Sequence, residues 1–223
     1  MCDNTNKKII KHKKIGILGG TLDPIHIGHL LIAQSAFEQL KLDEVLFMPS
    51  GFPPHKDKNN ISANVHRENM VKLAIIDNSF FRFSDFEMKR NGVIYTVDTL
   101  KLLKEKNEED DYYFIMGADS LLSIETWHNP NELFNYCTIV VADRDSKDKE
   151  IKIMIKNLKH KYNASIVYIK SPMVDISSSD IRERVKKNMS IKYLVDDKVE
   201  KYIIENRLYS NWLKEGNYLW IKV

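Results

Sequence analysis

Lys14-Ile15-Gly16-Ile17-Leu18-Gly19-Gly20-Thr21-Leu22-Asp23-Pro24-Ile25-His26-Ile27-Gly28-His29-Leu30 reads as a short apolar strand, a glycine turn and the first turn of a helix. The strand spans Lys14 to Leu18 and the helix about Ile27 to Leu40. The chain has only 8 glycines in 223 residues, where about 7% is usual. Four of them, Gly16, Gly19, Gly20 and Gly28, fall in this stretch. Backbone here is built for close approach.

Outward from that stretch, strand-length apolar segments alternate with amphipathic ones. Strands are expected at Glu44 to Met48, Phe81 to Ser84, Tyr112 to Met116, Thr138 to Ala142 and Ser165 to Ile169. Helices are expected at about Ala63 to Asn78, Val97 to Lys106, Asn131 to Tyr136 and Glu150 to His160, then at Ser177 to Lys187 and Asp197 to Glu205. Ser177 to Asp180 has a capping-box pattern. This rhythm predicts an α/β fold, a Rossmann-like doubly wound parallel sheet with a helical C-terminal subdomain. No Gly/Pro/Ser-rich linker interrupts it, so residues 1-223 read as one domain: core about 14-170, helical subdomain about 171-209, aromatic tail 210-223.

Composition narrows the function. The 34 Lys+Arg against 31 Asp+Glu leave a net charge of +3, against a protein that coats nucleic acid. The basic run from Lys7 to Lys14 reads as a solvated lead-in. No apolar run approaches the ~18 residues of a membrane span, and the N-terminus lacks a signal-peptide core. A cytoplasmic protein is expected, with no membrane or nucleic-acid partner. Cys2 and Cys137 make neither a disulfide framework nor a zinc site and are expected to be inert thiols.

In open parallel sheets ligands gather outside the carboxyl ends of the strands. Gly19 and Gly20 there admit a ligand to the backbone, and the following helix start offers free N–H groups and a positive dipole end. That suits an anion, although neither a P-loop nor GxGxxG is present. His26 and His29 lie three apart on one face of the first helical turn. Their imidazoles are suited to donate to phosphate oxygens whose charge grows during phosphoryl transfer. An ordinary polar helix start is the simpler alternative, and the glycines and Thr21 weigh against it.

GGTLDPIHIGHL resembles the signature of nucleotidyltransferases whose (H/T)xGH motif holds ATP phosphates, specifically that of the bacterial nicotinate-nucleotide adenylyltransferase family. Further similar segments follow in the family's order: Tyr95-Thr96-Val97-Asp98-Thr99-Leu100, Gly117-Ala118-Asp119, Trp127-His128, and Ile176-Ser177-Ser178-Ser179-Asp180-Ile181-Arg182. The resemblance implies AMP transfer from ATP to nicotinate mononucleotide, giving deamido-NAD and pyrophosphate with Mg²⁺ held mainly by substrate phosphates. It implies no protein nucleophile and names no protein ligand for the metal.

By that resemblance His26 and His29 are catalytic. Gly19, Gly20, Thr21, Gly28, Lys56, Gly117, Asp119, Ser179 and Arg182 bind ATP, Asp119 through ribose hydroxyls and Arg182 through its planar fork. Tyr95, Thr96 and Trp127 bind the mononucleotide, Trp127 by stacking on its pyridine ring. From chemistry alone core packing is the better account of Trp127, while a helix cap is the alternative for Asp119 and a solvated loop the weaker alternative for Lys56. A homo-oligomer is left open, as is the packing of Trp212, Tyr218 and Trp220 in the tail.

The sequence departs from the family at Leu22, where Phe is commoner, at Ser179 for Thr, and at Asp196 where proline is usual, which could move the turn before the last helix. His26-Ile27-Gly28-His29 also spells the HIGH motif of class I aminoacyl-tRNA synthetases. However, the spacing to Lys187-Asn188-Met189-Ser190-Ile191-Lys192 is wrong for their second motif, and 223 residues leave little room for reading tRNA. Pantetheine-phosphate adenylyltransferase carries threonine at the His26 position. A regulatory nucleotide-binding module would not need His26, His29, Ser179 and Arg182 intact.

Overall fold

The computed structural model describes residues 12–51, 61–143, 148–172 and 174–210. Six strands form one parallel sheet in the order β3-β2-β1-β4-β5-β6. They are β1 (Lys14–Gly20), β2 (Glu44–Pro49), β3 (Phe81–Phe83), β4 (Asp111–Gly117), β5 (Thr138–Asp143) and β6 (Ile166–Lys170). Strand order reverses between β1 and β4, whose register pairs Leu18 with Ile115. The doubly wound sheet expected from the sequence is present.

Side chains alternate across this sheet, as a pleated strand requires. Ile15 and Ile17 of β1 join Phe114, Met116, Ile139 and Val141 on one face. Leu18 joins Ile115, Val140 and Ala142 on the other. Gly16 also points to that second face, where an added Cβ would come within 2.8 Å of Leu42 and 3.1 Å of Ile115. Packing explains that glycine.

Helices α1 (Ile27–Leu40) and α2 (Asn64–Ile75) cover the second face together with α7 (Ser178–Lys186) and α8 (Asp197–Glu205). Ile181, Val185, Val199 and Ile203 of the last two helices are fully buried in the same cluster as Leu18 and Phe47. The first face carries α3 (Thr96–Lys106), α4 (Ala118–Leu122), α5 (Pro130–Leu133) and α6 (Asp148–Tyr162). Ser177 caps α7: its Oγ accepts from the Asp180 N–H at 3.1 Å. Asp196 caps α8 by accepting from the Lys198 N–H at 2.8 Å. The departure from proline therefore leaves the last helix where the sequence puts it, because aspartate is itself a strong N-cap.

Most element ends fall within two residues of expectation, and the larger differences lie in the helices. α2 stops at Ile75, short of Asn78. α4 and a 3-10 turn at Ile124–Thr126 are additional, each too short to show a helical period. α5 is confined to Pro130–Leu133, entered through Asn129 at φ +46° with proline at the first turn. Burial pushes the Cys137 thiol up to about 12, so it stays unionised at neutral pH. Among the described residues no helix is long and apolar enough to cross a membrane.

Candidate active site

A cleft of about 1170 Å³ opens where the strand order reverses, at the carboxyl ends of β1 and β4. Gly19 and Gly20 line it from the end of β1 with Thr21 just beyond, and Gly117 lines it from the end of β4 with Asp119 in the first turn of α4. Gly20 adopts φ +130°, which L residues rarely adopt, and open space surrounds the position a Cβ would take. The chain then turns through Leu22 at φ +49° and a cis Asp23-Pro24 bond.

Four helices start at this cleft. Their N-caps, His26 of α1, Tyr95 of α3, Gly117 of α4 and Ser177 of α7, all line it. First-turn N–H groups and aligned peptide dipoles make such ends attractive to negative charge. α3, α4 and α7 each carry an aspartate in the first turn, which offsets part of that field; α1 carries no acid there. The α1 start lacks the first-turn acid of the other three, and it bears the two histidines.

His26 is buried, 4% exposed, and its ring stacks on His29 with centroids 3.7 Å apart and planes at 32°. The His26 backbone N–H donates to His29 Nδ1 at 3.2 Å. A nitrogen that accepts cannot carry the proton, so neutral His29 holds its hydrogen on Nε2. Gly28 is buried within α1 and does not line the cleft. The Ile27 N–H donates to the Leu194 carbonyl at 3.0 Å, fixing the helix start against the turn before α8.

The start of α7 is latched to the same loop. Ser178 Oγ donates to the Pro24 carbonyl at 2.9 Å, and Arg182 Nη1 donates to the Asp23 carbonyl at 2.6 Å. Arg182 Nη2 donates to Ser179 Oγ at 3.2 Å. Neither Ser179 nor Arg182 lines the cleft; Arg182 is held at the Asp23 carbonyl beside it, and Ser179 is held by Arg182. Lys56 lies outside the described residues, as do His55 and the aromatic tail from residue 211.

At the α3 end of the cleft, Tyr95 and Thr96 line it together with Trp127. Trp127 is half-buried and meets Phe114 edge to face, 6.1 Å between centroids at 89°. Its indole is thus both packed against the core and presented to the cleft. His128 stacks on Tyr95 at 4.1 Å and 23°. Glu87 lines this end too; it accepts from Thr99 Oγ1 at 2.8 Å, and Thr99 in turn accepts from Arg90 Nη1 at 3.0 Å. Burial raises the Glu87 carboxyl above its ordinary range, against the lowering effect of Thr99 and Arg90.

Sequence reasoning missed Glu87, His128 as a ring partner, and a buried cluster of Asp23, Arg67 and Tyr209. Arg67 stands three and four residues before Met70 and Val71, all three buried on α2. That spacing is the signal that would have flagged an arginine facing inward.

The cytidylyltransferase-like family model matches residues 17–184, from within β1 to α7. A Lachnoclostridium phytofermentans protein named "probable nicotinate-nucleotide adenylyltransferase" is 42% identical over 198 residues, 88% of this chain and 99% of that protein. The chain belongs to the nicotinate-nucleotide adenylyltransferase family. A protein of the same printed name from Clostridium botulinum strain Hall is 44% identical over 195 residues, covering 86% of this chain and 97% of its own. The Plasmodium falciparum nicotinic acid mononucleotide adenylyltransferase complexed with NaAD has the same fold, with a TM-score of 0.71 and 25% identity. That match covers 89% of this chain and 98% of the other. A second structure of it, complexed with APC, superposes with the same TM-score at 24% identity.

Proposed function

We propose that this nicotinate-nucleotide adenylyltransferase is a cytoplasmic enzyme of NAD biosynthesis that transfers AMP from ATP to nicotinate mononucleotide. A phosphate oxygen of the mononucleotide attacks the α-phosphorus of ATP. The bond from that phosphorus to the bridging oxygen breaks, and pyrophosphate leaves with its electron pair. The products are nicotinate adenine dinucleotide and pyrophosphate. The observation that carries this reading is the stacked His26–His29 pair at the one acid-free helix start of the cleft.

Such a transfer needs alignment and charge stabilisation rather than a protein nucleophile. His29 Nε2–H and His26 face the phosphates, where negative charge rises, with Gly19, Gly20 and Thr21 allowing close approach. Gly28, by placing no side chain between the two imidazoles, leaves the phosphates room to approach them. Ser179 and Arg182 take ATP phosphates from the α7 side once Arg182 leaves the Asp23 carbonyl, and Lys56 is assigned to the same phosphates. Asp119, beside Gly117, accepts from ribose hydroxyls. Tyr95 and Thr96 hold the nicotinate carboxylate at the α3 start while Trp127 covers the pyridine ring.

Among the described residues no group of three His, Cys, Asp or Glu side chains is placed to hold a metal ion. Mg²⁺ is assigned to the reaction with ATP, held mainly by the substrate phosphates. Incubation with ATP, Mg²⁺ and nicotinate mononucleotide should release one pyrophosphate per dinucleotide formed. Absence of turnover with either pyridine mononucleotide would overturn the reading.

A further inference from the structure

Arg67 is the largest fully buried side chain among the described residues, at 1% exposure. Burying a guanidinium costs several kcal/mol unless its donors and charge are met. A hydrophobic side chain of similar volume would fill the space at lower cost. What the arginine adds is five N–H donors in a fixed planar fork.

Each of those donors is taken. Nη1 donates to the Thr21 carbonyl at 2.9 Å and the Ser50 carbonyl at 2.7 Å. Nη2 donates to Asn64 Oδ1 at 2.6 Å and the Gly51 carbonyl at 3.4 Å, and Nε to the Ser62 carbonyl at 3.3 Å. One rigid group thereby fixes the backbone leaving β1, the backbone leaving β2 and the entry to α2. Thr21 and Ser50 line the cleft, whereas Arg67 does not.

The counter-charge comes from Asp23, itself 2% exposed. Asp23 Oδ2 accepts from the Ser62 N–H at 2.9 Å, and Oδ1 accepts from the Tyr209 hydroxyl at 2.5 Å. Burial beside that carboxylate pushes the Tyr209 phenol upward, so it remains a donor at neutral pH. The carbonyl of Asp23 also receives Arg182. A tyrosine 186 positions away in the chain thus seats the carboxylate that balances Arg67.

We propose that Arg67, seated by Asp23 and Tyr209, is a positioning residue for the phosphate side of the cleft, setting Thr21 and Ser50 at the distance ATP requires. The proposal rests on the functional reading above, in which the Thr21 side holds ATP and the Trp127 side holds the mononucleotide. A merely structural post would change stability alone, or weaken both ligands alike. A positioning residue for one side changes affinity for one ligand.

Equilibrium titrations of the full chain with Mg·ATP and, separately, with nicotinate mononucleotide test this, alongside melting temperatures. Arg67→Lys, which keeps the charge and loses the fork, should weaken Mg·ATP about tenfold and the mononucleotide less than about twofold. Tyr209→Phe, which removes one hydrogen bond and keeps the ring, should weaken Mg·ATP about threefold in the same selective way. Unchanged Mg·ATP affinity with a lowered melting temperature would overturn the proposal, as would equal weakening of both ligands. Should Arg67→Lys not fold, an unchanged Mg·ATP affinity in Tyr209→Phe is enough to overturn it. Wild-type protein that binds both ligands without forming dinucleotide would sink the functional reading and leave the affinity comparison intact; wild-type protein that fails to bind Mg·ATP would sink both.

Discussion

The backbone N–H of His26 donates to Nδ1 of His29, and the two rings lie against each other, tilted by 32°, at the start of α1. This one bond dictates the tautomer of His29 and aims a hydrogen-bond donor, rather than a lone pair, away from the helix. The two histidines therefore act as a unit in which one orients the other.

Different replacements of His29 separate those duties. His29→Asn retains an acceptor near the Nδ1 position and loses the Nε2 donor. It should keep the melting temperature of the wild type while kcat falls about 10²-fold, the cost of one donor to developing charge. His29→Ala should lose as much in kcat and also some stability. A fully active asparagine variant would show that the Nε2 donor is dispensable.

Trp127 meets Phe114 edge to face and also lines the cleft, so its loss is expected to act on both packing and binding. Trp127→Ala should raise KM for the mononucleotide about tenfold with a smaller change in KM for ATP, as base-to-aromatic stacking is worth roughly 1–3 kcal/mol. Steady-state kinetics with each substrate varied in turn provide the check. An effect confined to melting temperature would return Trp127 to the core.

Glu87 makes stability depend on pH. Its carboxyl is raised by burial above the ordinary 4.5, so the folded state binds the proton more tightly than the unfolded state. The stability this contributes is complete below 4.5 and is lost as pH rises through the higher folded-state value. Glu87→Gln, which keeps an oxygen for Thr99, removes that dependence. Thermal melts at pH 4 and pH 7 should show the variant gaining on the wild type at the higher pH; a constant difference would contradict the buried-carboxyl account.

All six strands were legible as short apolar runs, with ends off by one or two residues, and α1 and α8 were legible from their helical periodicity. The cleft end formed by Gly19, Gly20, Thr21, His26 and His29 was legible for a related reason: those residues are contiguous in the chain. The short α4 was not, since five residues complete barely more than one turn. Arg67, Asp23 and Tyr209 were invisible as a cluster because their partnership is set by tertiary packing across loops, and a charged residue on a helix ordinarily reads as exposed. Glu87 escaped notice similarly, since its burial depends on the turn between β3 and α3 folding over Thr99.

The central claim is adenylyl transfer to the acid form of the pyridine mononucleotide. Its most direct test is kcat/KM for dinucleotide formation with nicotinate mononucleotide against nicotinamide mononucleotide, at fixed Mg·ATP. The account predicts a clear preference for nicotinate mononucleotide. Equal rates with the two, or a preference for the amide, would contradict it.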